Sequence, residues 1–268
     1  MELIENLCSY IQHISLGRAH TSRVSLFMTF ILNQYDILDL SHNLDETIPV
    51  WPRSTRFQRT LTLDYPQGCR TYDFTQAQGI GTHVDAPSHF FPEAQAIDAI
   101  PLSQLIVPAA VLDVRQQVEK NSDYQVSPND LIVWENQFGR IRPGMLIIIL
   151  TGWSARWSDE SSYRNTDANG IMHFPGIAAT MASLLVEKSV VGVGIDTLSV
   201  DCGYSENYPA HKLLLGAGKY LIENLTKIES LPRIGSSILV LPIKIKDAPE
   251  ASARVVALIP KAPNKEKS

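Results

Sequence analysis

The sequence predicts an α/β protein in which a single domain is built on a mixed β-sheet core flanked by helices. Three observations lead there. Runs of strand length rich in β-branched residues recur along the chain: "IVPAAVLDV", "MLIIILT", "VVGVGIDT", "SSILVLPIKIK" and "RVVALI". Several of them are apolar at every position, as strands covered on both faces are. The early strands follow at hairpin spacing while the later ones alternate with helix-length segments, so antiparallel and parallel neighbours are expected in one sheet.

Taken in order, residues 1–33 read as a helical extension of moderate amphipathicity whose apolar face needs a cover. From Tyr35 the pattern becomes strands: "YDILDLS", then the alternating "TRFQRTLTLDY", then "TYDFTQAQ". A helix is expected from Ser127 to Gln137, with Ser127 as N-cap and Pro128, whose missing N–H costs nothing there, in the first helical position. A second is expected from Pro175 to about Lys188, and a short one from Ala210 to the Gly216 and Gly218 pair, where glycine can end it. The domain is placed at residues 34–260, and the polar ending "KAPNKEKS" at 261–268 is read as a frayed tail.

Composition narrows the partners. An apolar share of 44% over 268 residues is ordinary for a protein with a real core. A net charge of −5, with no run of Lys and Arg before the tail, leaves no electrostatic footprint for nucleic acid or an anionic membrane, so a small molecule is expected. Cys8, Cys69 and Cys202 are scattered and lack CxxC spacing, which argues against a disulfide framework and a thiolate zinc site. The apolar run "SLFMTFIL" is about half the length that a membrane span needs, and a cytoplasmic location is expected.

The chemistry concentrates in "GIGTHVDAPSHF", residues 79–90. In an extended segment His83 and Asp85 point the same way with Cα atoms roughly 6.5 Å apart, so a cation between them can take both. Pro87 bends the chain out of the ladder, which lets His89 return toward the same cavity. Imidazole with carboxylate suits Zn²⁺, Mn²⁺ or Fe²⁺ better than Ca²⁺ or Mg²⁺. Two histidines in a surface loop are commonly just that, and spacing alone does not separate the two readings. Trp51, flanked by Val50 and Pro52, is either core or a rigid flat face offered to an aromatic substrate. Asp196, Ser199 and Asp201 follow a buried strand at its C-terminal end, where they can orient ligands.

"GTHVDAPSH" resembles the HxGTHxDxPxH signature of the cyclase family of metal-dependent hydrolases, whose best-known members are bacterial kynurenine formamidases, with isatin hydrolases as relatives. The blocks "DLSHNLDETIPVWP", "LTGW", "FPGIAATMASLLVEKSVVGVGIDTLSVD", "HKLLL", "IENL" and "LPIKIKDAPEASARVVAL" follow in the family's order, covering about residues 35–260. The resemblance implies the swivelling β/β/α cyclase-like fold and one or two divalent ions, zinc or manganese. It makes His83 a ligand of the first metal, Asp85 a bridge between two, His211 a ligand of the second and Glu223 a second bridging carboxylate. His89 becomes the proton donor and acceptor, and Trp51 a substrate contact. It further implies attack of metal-activated hydroxide on an amide or formamide carbonyl, an arylformamidase-like activity in tryptophan catabolism, and a homodimer or homotetramer.

The pattern breaks at one place. The signature begins with a histidine two places before its glycine, and that position is Gly79. Gln78 is adjacent but faces the other way unless the strand bulges. Three outcomes are open: water fills the gap, a distant side chain such as His173 or Cys202 substitutes, or only the second metal binds, on Asp85, His211 and Glu223. One firmly held ion is the expectation. Because Gly79 enlarges the site and alters its charge, a cyclic amide or lactone is the alternative substrate, and a metal-binding but catalytically weak regulatory protein is a third reading.

Overall fold

The computed structural model describes residues 33–261, so the extension expected over residues 1–33 and the tail expected over 261–268 lie, but for residues 33 and 261, outside the described residues. Residues 38–258 form one compact unit, and the described residues 33–37 and 259–261 fall outside it.

Twelve strands are described: β1 (Tyr35–Asp39), β2 (Gln58–Leu63), β3 (Thr71–Thr75), β4 (His83–Asp85), β5 (Ile106–Asp113), β6 (Gln125–Val126), β7 (Leu146–Leu150), β8 (Gly176–Ile177), β9 (Gly192–Ile195), β10 (Tyr220–Glu223), β11 (Ile234–Pro242) and β12 (Glu250–Pro260). The principal sheet runs β1-β12-β11-β5-β7-β9-β10-β4, and β4 pairs β12 as well, which closes the sheet into a barrel-like core. β5, β7, β9 and β10 are parallel neighbours, whereas β4 pairs antiparallel with β10 and β12, and β11 pairs antiparallel with β12 and β5. The mixed sheet expected from the strand spacing is therefore the one found.

Parallel neighbours need long crossovers, and helices supply them. Helix α1 (Pro128–Phe138) lies between β5 and β7, α2 (Ala179–Glu187) between β7 and β9, and α3 (Pro209–Gly216) between β9 and β10. α1 starts as its sequence dictates: Pro128 occupies the first turn, the Ser127 N–H donates to Asp130 Oδ2 at 2.7 Å, and Gly139 ends it at φ +94°. α2 starts four residues later than the apolar pattern suggested, because Gly176 and Ile177 pair with β6 as a short parallel strand first. Gly176 has no room for a side chain there, since a Cβ would run into the backbone of residues 200–202.

Both faces of the barrel strands are buried, which explains the uninterrupted apolar runs. On one face Ile147, Ile149, Val193, Ile195 and Leu221 pack with Leu131, Trp134, Met181, Leu185 and Leu214 of the helices. On the other, Leu146, Ile148, Leu150, Ile222 and Val84 are fully buried. Each such side chain contributes roughly 1.5–3 kcal/mol. The alternating segments around residues 58–75 leave the barrel: among the described residues β2 and β3 pair only with each other, and their side chains are exposed. No helix among the described residues is long and apolar enough to cross a membrane.

Candidate metal centre

β4 is only three residues long, yet it lies between β10 and β12. The register sets Glu223 opposite His83 and Leu221 opposite Asp85 on one side, and Ser252 opposite His83 and Glu250 opposite Asp85 on the other. Directly paired residues share a face of the sheet. Period two then sorts this patch: Val84, Ile222 and Ala251 are buried on one face, and His83, Asp85, Glu223 and Glu250 collect on the other, toward α3. His211, in the first turn of α3, completes the group.

The distances are short. His83 Nε2 lies 3.3 Å from Asp85 Oδ1 and 3.4 Å from Glu223 Oε2. His211 Nε2 lies 3.3 Å from Asp85 Oδ2 and 3.3 Å from Glu223 Oε1. The structure thus brings His83, Asp85, His211 and Glu223 together, with Asp85 and Glu223 each facing both imidazoles. The outer nitrogens are held from behind. His83 Nδ1 donates to the Gly81 carbonyl at 2.9 Å, and His211 Nδ1 donates to Asp201 Oδ2 at 2.7 Å, so both Nε2 atoms point into the centre. The Gly81 carbonyl also accepts from Asn224 Nδ2, and Gly81 itself has φ +63° with Leu44 Cδ2 2.5 Å from where a Cβ would stand. Only glycine makes that turn without strain.

Burial opposes charge on His83, but Asp85, Glu223 and Glu250 outweigh it and push its pKa up to about 10. Burial likewise opposes charge on His211, yet Asp201 and Asp85 hold it well above the usual imidazole range. Asp85 would be raised by burial, but the imidazoles of His211 and His83 keep it far below the usual carboxylate range. Glu250 has its carboxyl pushed up by burial and by the charge of Asp85. The centre therefore favours positive charge, which protons on the imidazoles or a divalent ion can supply. An ion has to displace those protons, so its binding strengthens as pH rises.

The donor set fits such an ion. Asp85, 1% exposed, leaves Oδ1 without a hydrogen-bond partner. Two trios, Asp85–His211–Glu223 and His83–Asp85–Glu250, each present ligand atoms within 4.8 Å of one another, and Asp85 belongs to both. Imidazole nitrogen with carboxylate oxygen suits zinc or manganese.

A cavity of about 520 Å³ opens over the centre, walled by Trp51, Phe90, Tyr208 and Leu198. His89, in the turn Pro87–His89, faces it with Nδ1 3.6 Å from Glu250 Oε2. Trp51 lines the cavity and packs against the cluster of Trp153, Tyr163 and Phe174. Tyr208 and Phe90 were not singled out from sequence. The signal for Tyr208 is its place just before Pro209 at the start of α3, with φ +47°.

Neither auxiliary residue reaches the cavity. Gln78 is exposed, and His173 is engaged elsewhere by Asp123 at 2.7 Å and Asp167 at 3.7 Å. Cys202 does not substitute either; its Sγ lies 3.7 Å from the Tyr124 carbonyl, and burial pushes the thiol up to about 12. His42 stacks on Trp157 with ring centroids 3.9 Å apart, and burial lowers its pKa to about 4. Thr151 and Asp196 hydrogen-bond each other at 2.6 Å behind the site.

Asp201 is the strongest of the supporting residues. It accepts from the N–H groups of Ala210 at 2.9 Å and His211 at 3.1 Å as well as from His211 Nδ1. Asp201→Asn removes the charge behind His211, and an expected 10–100-fold loss of metal affinity follows. Competition with a chromophoric chelator measures it.

Comparison with known proteins shows the family. The Cyclase family model, described as "Putative cyclase", matches residues 38–202. An isatin hydrolase of Roseibium aggregatum is 29% identical over 190 residues, covering 68% of this chain and 72% of its own. A kynurenine formamidase of Polaromonas naphthalenivorans is 28% identical over 225 residues, covering 82% and 89%. In structure the chain is similar to isatin hydrolase A from Labrenzia aggregata bound to benzyl benzoate, with a TM-score of 0.82, 29% identity, and 90% of this chain and 100% of that one covered. With the family model spanning most of the domain and the barrel shared, this chain belongs to the Cyclase family.

Proposed function

We propose that this protein hydrolyses the C–N bond of a small aromatic amide, using zinc or manganese held by His83, Asp85, His211 and Glu223. The observation that carries the reading is the convergence of two inward-facing imidazole nitrogens on two shared carboxylates beneath an aromatic-walled cavity. The hydrolases of isatin and of formylated kynurenine among its relatives support it.

A divalent ion in this donor set supplies an acidified water and a polarised carbonyl at neutral pH. The chain's own residues do the rest. Asp85 and Glu223 offset the charge of the ion, and Asp201 and the Gly81 carbonyl hold the imidazoles in the binding tautomer. Trp51, Phe90 and Tyr208 lay an aromatic ring flat across the cavity. His89 passes a proton to the nitrogen that leaves as the C–N bond breaks and water adds to the carbonyl carbon.

Within that class, we place ring-opening of a neutral cyclic aryl amide of the isatin type ahead of the arylformamidase activity first expected. Among the described residues no Lys or Arg lines the cavity, whereas Trp51, Phe90 and Tyr208 do. The α-carboxylate of N-formylkynurenine therefore meets no cationic side chain there, while a neutral fused ring meets aromatic walls. The argument from an enlarged site does not hold, because Glu250 fills the space over Gly79.

The test is a substrate comparison on protein loaded with Mn²⁺ or Zn²⁺. Isatin is expected to show a kcat/KM at least about tenfold above that of N-formylkynurenine, a difference of about 1.4 kcal/mol. The reverse order returns the formamide to first place. Bound metal with turnover of neither, nor of a lactam and lactone panel, overturns the hydrolase reading in favour of a binding or regulatory role.

A further inference from the structure

The vacancy at Gly79 is filled from the other end of the chain. A Cβ built on Gly79 would overlap the carboxylate of Glu250 and stand 3.2 Å from His83 Nε2. Position 79 therefore does face the centre, and its space is taken by a carboxylate rather than by water. Glu250 opens β12 directly opposite Asp85, so two acidic side chains sit side by side on adjacent strands. Such a pair is destabilising on its own. The one ion pair Glu250 makes among the described residues is with His89 at 3.6 Å, and Asp85 Oδ1 has no hydrogen-bond partner although Asp85 is 1% exposed. A cation between His83 Nε2, Asp85 and Glu250, whose ligand atoms lie within 4.8 Å of one another, answers all three features at once.

We infer that Glu250 is a metal ligand, which with His83 and Asp85 builds a second ion position beside the one on Asp85, His211 and Glu223. The inference rests on the metal-centre reading above. It replaces the expectation of one firmly held ion by two, the position at Glu250 carrying an oxygen donor where an imidazole would otherwise come from residue 79. A harder donor set shifts that position toward manganese over zinc. It also ties the proton-transferring His89 to the metal centre, since its nearest charged partner is the ligand itself.

The test is titration of the metal-free full-length protein with Mn²⁺, followed by calorimetry and by electron paramagnetic resonance. The wild type is expected to take two ions that show magnetic coupling. Glu250→Gln, close to isosteric, is expected to weaken one of them at least about 100-fold and to leave the uncoupled spectrum of a single ion. Gly79→His combined with Glu250→Gly moves the donor back to an imidazole and is expected to restore two ions with a weaker preference for Mn²⁺ over Zn²⁺. Two coupled ions of unchanged affinity in Glu250→Gln overturn the assignment, as does a wild type whose single ion is untouched by that change. A wild type that binds no ion refutes the metal-centre reading itself. If Glu250→Gln does not fold, Glu250→Ala is titrated in its place and decides by the same count.

Discussion

Asp85→Asn is expected to abolish metal binding and with it at least about three orders of magnitude of kcat/KM, on the order of 4 kcal/mol of transition-state stabilisation. Asp85 touches both imidazoles at 3.3 Å and belongs to both ligand trios, so its loss dismantles either ion position. An amide of the same shape keeps the volume but not the charge, and its NH₂ cannot ligate. The fold should survive, because His83 and His211 keep Glu223, and one of several crowded carboxylates is gone. Thermal unfolding separates binding from folding. At a metal concentration about a thousandfold above its dissociation constant, wild-type protein gains about 4 kcal/mol, or roughly 8–16 °C in melting temperature for a chain of this size. Asp85→Asn should melt within a few degrees of the metal-free wild type and gain nothing from the ion. Retained metal in stoichiometric amount would exclude Asp85 as the shared ligand.

His89→Ala should lower kcat by about 10²–10⁴ while leaving the metal content and the melting temperature unchanged. The residue stands apart from the buried ligands: its side chain is 30% exposed, its ring centroid lies 6.3 Å from that of His211, and its nearest acidic atom is Glu250 Oε2 at 3.6 Å. That position suits a group that exchanges protons with solvent between turnovers. Since the aromatic walls remain, KM should move only a few-fold, and added imidazole should restore part of the rate. His89→Gln, which can hydrogen-bond but not transfer a proton at neutral pH, should be as slow as the alanine variant. A glutamine variant with near-normal kcat would reduce His89 to a positioning role.

Local chemistry made much of this legible in the linear order. Pro128 after Ser127 marks the start of α1, the apolar runs mark strands buried on both faces, and the alternation of His83 and Asp85 within "THVD" marks two donors on one face. These signals travel over a few residues, set by capping and by the two-residue period of a strand. β10 does not read as a strand in the sequence, because "YLIE" is too short to show a period before its acidic end. Tyr208 and Phe90 were missed because an aromatic residue in a loop looks the same whether it lines a cavity or a core.

The linear sequence by itself determined the fold class, the order of most elements, and a nucleus of chemistry at residues 83–89. It linked His211 and Glu223 to that nucleus only through a resemblance. Which carboxylate stands beside which imidazole was decided by barrel closure, which slots the three-residue β4 between β10 and β12 and so sets Glu223 against His83 and Glu250 against Asp85. Cross-strand register is a property of the whole sheet, since moving it by one residue turns every side chain to the opposite face. For that reason the space left at Gly79 could be found in the sequence, while the Glu250 that occupies it, 171 positions away, could be found only in the folded chain.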